Sequence, residues 1–343
     1  MRAWTPGKSD AHRWPPPTRL LLPLTLLAAI TACSDDDGPA AEPCSPTDPR
    51  TTPLSVGVLP DDGEAPYLAV LDRATTTLRV FSYLMGRGGI LDRLKAKAAA
   101  GVDVRVILDQ GHTANGKYFT ELEQAGVDVR WSDDFFTHMH AKVIIADEQQ
   151  AVISTGNYSL KYAIESSRDF TARTVDPDDL ADLVTLFDAD WQRQQPDLSC
   201  TRLLVAPVNA RARILELIAG GSSSITVESM QLADAEVREA LAERRAAGVE
   251  IRVLLADPGW VETNADAATF LAGEGIPARW MSDPGVHAKA VVVDGARAYL
   301  GSINLSYTSL SRNREVGVIS ADAAAVQRLT STFEHDWGGA APF

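Results

Sequence analysis

The chain has 343 residues, of which 45% are hydrophobic and 23% charged, with a formal net charge of −14. This is the make-up of a soluble globular protein long enough for two ordinary domains or one large pseudo-symmetric one. An acidic body without a basic stripe repels polyanions at long range, so a nucleic-acid partner would need a locally positive pocket.

From the N-terminus, Arg2, Lys8, Arg13 and Arg19 form a basic leader with one acid, Asp10. An apolar run from Leu20 to Ile30 and small residues up to Cys33 follow. That order is a secretory signal, and the run is too short to span a bilayer as a mature helix. Ile30-Thr31-Ala32-Cys33 is similar to a bacterial lipobox, whose Cys is lipidated and becomes the new N-terminus. An ordinary signal peptide cut nearby is the alternative. Acyl chains on Cys33 would hold the protein on a membrane surface. The expectation is therefore an exported, membrane-anchored lipoprotein on the periplasmic or cell-surface face, with residues 1–33 as its signal. Losing residues 1–32 moves the net charge to near −17. Residues 34–53 are dominated by acids, Pro, Ser and Thr and read as a disordered tether. With Cys33 lipidated, Cys44 and Cys200 remain as an even pair in an exported protein. A disulfide between them would pin the tether to the segment joining the two halves; two unpaired thiols are the alternative.

The rest of the chain is one unit written twice. Ala100–Asp109 (AGVDVRVILD) returns as Ala247–Ala256 (AGVEIRVLLA), an offset of 147 that also relates His140, Lys142, Asp147 and Asn157 to His287, Lys289, Asp294 and Asn304. In each copy an apolar strand (Leu78–Tyr83; Ile225–Met230) precedes a helix (Gly89–Ala100; Ala235–Ala247). A β-branched run (Val102–Leu108; Val249–Leu255), a second helix and a short strand ending at Trp131 or Trp280 come next. The His-x-Lys run then forms a hairpin with the following strand, turning at Glu148-Gln149-Gln150 and at Asp294-Gly295. Each copy closes on an amphipathic helix ending Phe187-x-x-Asp190-Trp191 or Phe333-x-x-Asp336-Trp337. Alternating strands and helices predict an α/β fold, each repeat a mixed sheet flanked by helices, the two related by a pseudo-two-fold. The first repeat is assigned to residues 54–195 and the second to 200–340.

The chemistry sits on His140-Ala-Lys142-Val-Ile-Ile-Ala-Asp147 with Ser154-Thr155-Gly156-Asn157, and on His287-Ala-Lys289-Ala-Val-Val-Val-Asp294 with Gly301-Ser302-Ile303-Asn304. Period-two alternation puts His and Lys on one strand face, and the hairpin brings the Asn-bearing strand alongside. Two such halves facing each other would surround a small volume with two imidazoles, two cations and two carboxamides, a set that suits a phosphodiester. His138 makes a His-x-His pair with His140, a pattern that metal sites also use, but Gly285 stands at the equivalent place in the second copy. His112 and His335 read as surface or cap residues. Phe135, Phe136 and Trp260 lie in loops expected near the site mouth, where they would either touch acyl chains or pack in the core.

These motifs resemble the HxK(x)4D(x)6GSxN signature of the phospholipase D superfamily, and the match covers essentially everything after the tether. The second copy is complete; the first has Ser154-Thr155 where the family has Gly-Ser. The resemblance implies two PLD-like repeats with one active site at their interface, working without a metal or other cofactor. It implies that one His attacks phosphorus and the other serves as acid and base, with His140 as the attacker. It implies that Lys142, Lys289, Asn157 and Asn304 bind the non-bridging oxygens. A carboxylate after the motif orients a catalytic His in the family, which makes Asp169 and Glu315 the candidates, in Arg168-Asp169 and Arg314-Glu315. Asp147 and Asp294 are expected to be structural hairpin-end residues, and Thr155 and Ser302 to donate a further hydrogen bond or shape the turn. Fold alone does not fix the substrate. A monomer acting on phospholipid, by hydrolysis or phosphatidyl transfer, is the expectation. A metal-independent endonuclease and a non-catalytic binding lipoprotein are the alternatives.

Overall fold

A computed structural model describes residues 44–343. The leader, Cys33 and residues 34–43 of the tether lie outside the described residues. The first half runs β1 (Ser55–Leu59), α1 (Ala65–Leu71), β2 (Thr77–Ser82), α2 (Gly89–Ala99), β3 (Asp103–Leu108), α3 (Asn115–Gln124), β4 (Asp128–Trp131), β5 (Val143–Ala146) and β6 (Gln150–Ser154). A π-helical turn (Leu160–Ile164), β7 (Ser167–Thr174) and α4 (Pro177–Gln192) complete it. The second half repeats this order as β8 (Leu203–Ala206), α5 (Ala210–Ala219), β9 (Ser224–Ser229), α6 (Ala235–Ala246), β10 (Glu250–Ala256), α7 (Thr263–Gly273) and β11 (Ala278–Met281). It continues through β12 (Gly285–Val286), β13 (Lys289–Val293), β14 (Arg297–Gly301), α8 (Tyr307–Ser311), β15 (Glu315–Ser320), α9 (Ala323–Gly339) and β16 (Ala341–Pro342).

Each half is a mixed sheet, in the order β1-β7-β6-β5-β2-β3-β4 and β16-β11-β10-β9-β13-β14-β15-β8. The strands joined by helical crossovers pair in parallel, β2 with β3 and β3 with β4, as do β9, β10 and β11. Such a connection needs a dozen or so residues and places a helix on the sheet face. Covered on both faces, β5 and β13 are buried from end to end and read as unbroken apolar runs rather than alternating ones. Their side chains still alternate: Val143 and Ile145 enter a core shared by the two halves, whereas Ile144 and Ala146 enter the first half's outer core. The closing helices α4 and α9 send Leu183, Leu186 and Phe187, and Val326, Leu329 and Phe333, into the shared core. The two repeats are therefore fused by a common interior.

The β5–β6 turn centres on Asp147 and Glu148, with φ of 52° and 56°, and the β13–β14 turn on Asp294 and Gly295, at 57° and 59°. Positive φ at both central residues is the hairpin form that matches strand twist. The first turn thus falls one residue before the expected Glu148-Gln149-Gln150, because the short polar side chain of Asp147 tolerates the left-handed region.

Residues 44–53, assigned by composition to the disordered tether, are seated on the body. Cys44 is bonded to Cys200, with Cα atoms 5.0 Å apart. Arg50 Nε donates to buried Asp179 Oδ2 at 2.6 Å, and its Nη1 to the Ile319 carbonyl at 3.1 Å. Arg50 so joins α4 of one half to β15 of the other. A segment with little apolar area is held here by a cross-link and a charged anchor, terms that composition does not reveal.

Candidate active site

Each catalytic-motif histidine stands where its chain crosses from one half to the other. Arg314 N donates to the His138 carbonyl and His140 N to the Arg314 carbonyl, both at 2.9 Å, so this segment pairs with the second half. Two residues later the chain belongs to its own sheet again, with Ser154 N donating to the Lys142 carbonyl at 2.9 Å. The other copy does the same: β12 pairs with β7, and His287 N donates to the Arg168 carbonyl at 3.1 Å, before β13 begins. The reciprocal exchange brings each imidazole against a carboxylate of the opposite repeat.

His140 Nδ1 lies 2.8 Å from Glu315 Oε2, and His287 Nδ1 lies 2.9 Å from Asp169 Oδ1. Both carboxylates are wholly buried and both imidazoles nearly so. A hydrogen bond at Nδ1 fixes ring orientation and leaves Nε2 for chemistry. Thr155 Oγ1 donates to Asp169 Oδ1 at 2.5 Å, and Asn313 Nδ2 to Glu315 Oε1 at 3.0 Å, so both carboxylates are oriented in turn. Burial pushes the His140 imidazolium down to about 4, against the opposing charge of Glu315. Burial lowers His287 as well. Asp169 and Glu315 are held below the usual carboxylate range: burial raises them, but His287 and His140 respectively, with the lysines, outweigh it.

Lys142 and Lys289 have no solvent exposure. Lys142 Nζ donates to the His140 carbonyl at 2.5 Å and sits 5.0 Å from the centre of the Tyr83 ring. Lys289 Nζ donates to the Thr155 carbonyl at 3.1 Å and lies 3.1 Å from His287 Nδ1. Burial lowers both ammonium groups, Lys289 to about 8 and Lys142 well below its ordinary value. The cleft is about 500 Å³ and is lined by both imidazoles and both Asn157 and Asn304. The Oδ1 atoms of these asparagines are buried without a partner among the described residues. Two imidazoles and two carboxamides thus line one cleft, with each lysine buried behind the histidine of its own motif, a set able to bind an anionic tetrahedral group and move protons on either side of it.

Asp147 and Asp294 lie at the far end of their hairpins. Asp147 accepts from the backbone N–H groups of Thr75, Thr76 and Thr77, each at 2.8 Å, and from two Thr hydroxyls. Asp294 does the same for Ser222, Ser223 and Ser224. Ser302 Oγ accepts from Val316 N at 3.1 Å, shaping the strand end. His138 points into the cleft beside His140, and among the described residues no cluster of three potential metal ligands forms. Of the loop aromatics, Phe136 is buried 4.3 Å beneath the Arg314 guanidinium, Phe135 is exposed, and Trp260 lines the cleft, stacked 6.2 Å from His287. His112, read from sequence as a surface or cap residue, also lines the cleft and meets Tyr83 edge-on at 5.4 Å.

Sequence reasoning missed which carboxylate serves which imidazole, and the roles of Asn313 and Tyr83. It also missed two buried ion pairs across the seam: Arg168 with Asp336, Nε to Oδ2 at 2.5 Å, and Arg314 with Asp190, Nη2 to Oδ1 at 2.8 Å. The signal was present, since Arg-Asp/Glu and the Asp of the closing helix both recur in the two copies. Each pair joins one repeated motif of one half to the other motif of the other half.

The family model described as "Cardiolipin synthase, PLD-like domain" matches residues 67–191 and again 214–337. The chain is similar to Cardiolipin synthase A of Pseudomonas entomophila, 26% identical over 80% of this chain and 67% of that protein. It is likewise similar to the probable cardiolipin synthase YwiE of Bacillus subtilis, 24% identical over 74% of this chain and 59% of that protein. The chain thus spans only about three fifths to two thirds of these relatives. The crystal structure of phosphatidylserine synthase from Haemophilus influenzae superposes with a TM-score of 0.67 at 12% identity, covering 85% of this chain and 89% of that one, and so shares the fold. With two matched copies and two complete His-x-Lys constellations closing one cleft, the chain belongs to the phospholipase D superfamily.

Proposed function

We propose that this protein is a phospholipase D-type phosphodiesterase that hydrolyses or transfers the phosphatidyl group of a phospholipid through a covalent phosphohistidine. The observation that carries this reading is the pair of His–carboxylate dyads, each assembled from both halves and both facing one cleft. Nε2 of one neutral imidazole attacks phosphorus while the P–O bond to the head-group alcohol breaks, and the second imidazole, which enters this step as the imidazolium opposite the bound anionic phosphate, gives that oxygen its Nε2 proton. Water or an acceptor alcohol then loses a proton to the second imidazole and displaces the first, leaving phosphatidic acid or a new phosphatidyl-alcohol. The two ammonium groups and the carboxamides hold the non-bridging oxygens as charge builds on them. The phospholipid assignment is supported by the cardiolipin synthase relatives and by the lipobox-like Ile30-Thr31-Ala32-Cys33, which would set the cleft beside a membrane as an exported, lipid-anchored monomer.

The test is mass spectrometry of full-length protein with phosphatidylcholine vesicles, a primary alcohol and a metal chelator. Phosphatidyl-alcohol is expected from the unaltered protein and none from His140→Ala or His287→Ala. Peptide mapping of an acid-quenched intermediate identifies the attacking imidazole. Plasmid cleavage with no lipid product would replace this reading with an endonuclease. Lipid product from both His variants would remove the covalent mechanism.

A further inference from the structure

The two buried lysines are held by unlike partners. An ammonium carries three N–H donors and no acceptor. Lys289 Nζ donates to the Thr155 carbonyl across the seam at 3.1 Å and also to the carbonyl of its own His287. Lys142 Nζ donates to the carbonyl of its own His140, and among the described residues no bond like that to Thr155 reaches it from the second half. An aromatic ring stands there instead: Lys142 Nζ lies over Tyr83, 5.0 Å from the ring centre. The same ring meets His140 edge-to-face, with centres 4.6 Å apart and planes at 62°.

The scaffold beneath Tyr83 is repeated, but the ring is not. Fully buried Asn115 donates from Nδ2 to the Tyr83 carbonyl at 2.8 Å and the Asp109 carbonyl at 2.9 Å, and its Oδ1 accepts from Met85 N at 3.1 Å. Asn264 makes the matching bonds to the Met230 carbonyl at 2.9 Å, the Ala256 carbonyl at 3.0 Å and Leu232 N at 3.3 Å. Met230 thus occupies the place of Tyr83, and both line the cleft. The fold sets the backbone here and leaves the side chain free. A thioether stands where the facing half holds its lysine by a cross-seam bond, and a π face where that bond is lacking. A buried ammonium short of acceptors is costly, and a ring face within about 6 Å attracts it, most strongly away from water. We propose that Tyr83 is a positioning residue of the first half. Its ring carries the Lys142 ammonium in place of a hydrogen bond across the seam, and its edge-to-face contact keeps the His140 imidazole on Glu315. This inference rests on the phosphatidyl-transfer reading and adds to it a residue outside both His-x-Lys motifs.

The experiment sets Tyr83→Met, which copies the second half, against Tyr83→Phe, which keeps the ring; Tyr83→Leu repeats the first arm with another side chain lacking one. Full-length protein acts on a short-chain phosphatidylcholine. Tyr83→Met is expected to lower kcat about thirtyfold with KM within about twofold, and Tyr83→Phe to hold kcat within about threefold of the unaltered protein. The pH profile separates this from a packing defect. The titratable groups acting on Lys142 are His140, Glu315, Lys289, Asp169 and Asp109, and all remain in every variant. Without the ring the charged ammonium is less favoured, so the high-pH limb of kcat moves to lower pH in Tyr83→Met and Tyr83→Leu and stays in place in Tyr83→Phe. Titration of the Lys142 Cε signal by ¹³C NMR reads the same displacement without turnover. Equal kcat and equal limbs in the Met and Phe variants overturn the positioning role and leave the enzyme reading standing. So does a Phe variant as impaired as the Met one with the unfolding midpoint of the unaltered protein. Absence of product from the unaltered protein overturns the enzyme reading instead, and the lysine titration then decides the role of the ring.

Discussion

The two halves meet the same structural demands with different side chains. The loop before each asparagine shows this best. Ser154 Oγ accepts from Gly156 N at 2.9 Å and donates to the Gly156 carbonyl at 3.1 Å. The equivalent N–H and carbonyl of Ile303 are both served at 3.1 Å by the phenol of Tyr299. Where the first half has Ser154, the second has Gly301, and a Cβ there would come within 2.4 Å of Gly317 Cα. In the first half Gly156 is the tight position, since a Cβ would lie 2.7 Å from Asp169 Oδ2. The departure of Ser154-Thr155 from the Gly-Ser pattern is thus a relocated glycine and a relocated hydroxyl. The backbone groups to be satisfied are set by the fold, and the donor that satisfies them is free to move.

The dyads differ in the same way: Asp169 is steadied by Thr155 and Glu315 by Asn313. Under the proposed mechanism, Asp169→Asn and Glu315→Gln are each expected to lower phosphatidyl turnover roughly 10³-fold, since a misoriented imidazole of the wrong tautomer loses about that much or more. Rapid-quench labelling sharpens the comparison. The variant whose carboxylate serves the attacking imidazole is expected to accumulate no phosphoenzyme, whereas its counterpart forms it slowly. Equal effects on intermediate formation would mean the two dyads do not divide the labour.

The seam ion pairs come next. Arg168→Ala and Arg314→Ala each strand a buried carboxylate of the other half, so each is expected to lose about 3–5 kcal/mol in denaturant unfolding. A much smaller loss in one would show that only one seam contact holds the repeats together. Asp147→Ala and Asp294→Ala remove matched anchors of three backbone N–H groups, and about 2 kcal/mol is expected from each by the same measurement.

Acid sensitivity tests the burial of the dyads. His140 is held neutral in the folded state, down to about 4. The unfolded chain therefore binds a proton that the folded one refuses as pH falls from about 6.5 toward 4, and stability drops over that window. His140→Gln is expected to flatten the slope by up to about 1.4 kcal/mol per pH unit, read from unfolding midpoints. The smallest effect is expected at Glu228, buried where the first half has Phe81 and without a hydrogen-bond partner among the described residues. Burial, together with Asp336, pushes this carboxyl well above its ordinary range. A group whose folded pKa is raised costs stability as pH climbs above its unfolded value. Glu228→Gln is accordingly expected to gain about 1 kcal/mol at pH 8 and nothing at pH 4.

The sequence by itself determined a great deal here. Internal repetition pointed to the two-fold architecture, and hydrophobic period to the elements from β2 to β6, those from β9 to β11, the hairpin β13–β14 and the closing helices α4 and α9, but not to β1, α1, β7, β8, α5, β12, α8, β15 or β16; the spacing of His, Lys and Asn singled out the residues of the candidate site. These are local properties: a 147-residue offset and a two-residue alternation are written along one chain. Tertiary structure alone decided what crosses the seam. His140 meets Glu315 and His287 meets Asp169 because each histidine segment adds itself to the other half's strand. Arg168 and Arg314 find their aspartates across the same seam. His138 comes beside Asp109, 29 positions earlier, with Nδ1 3.7 Å from Oδ2, only once β3 and the crossover segment are side by side. A repeated sequence cannot tell partners within a copy from partners between copies, because the two arrangements carry the same pattern; the swap is resolved only by packing.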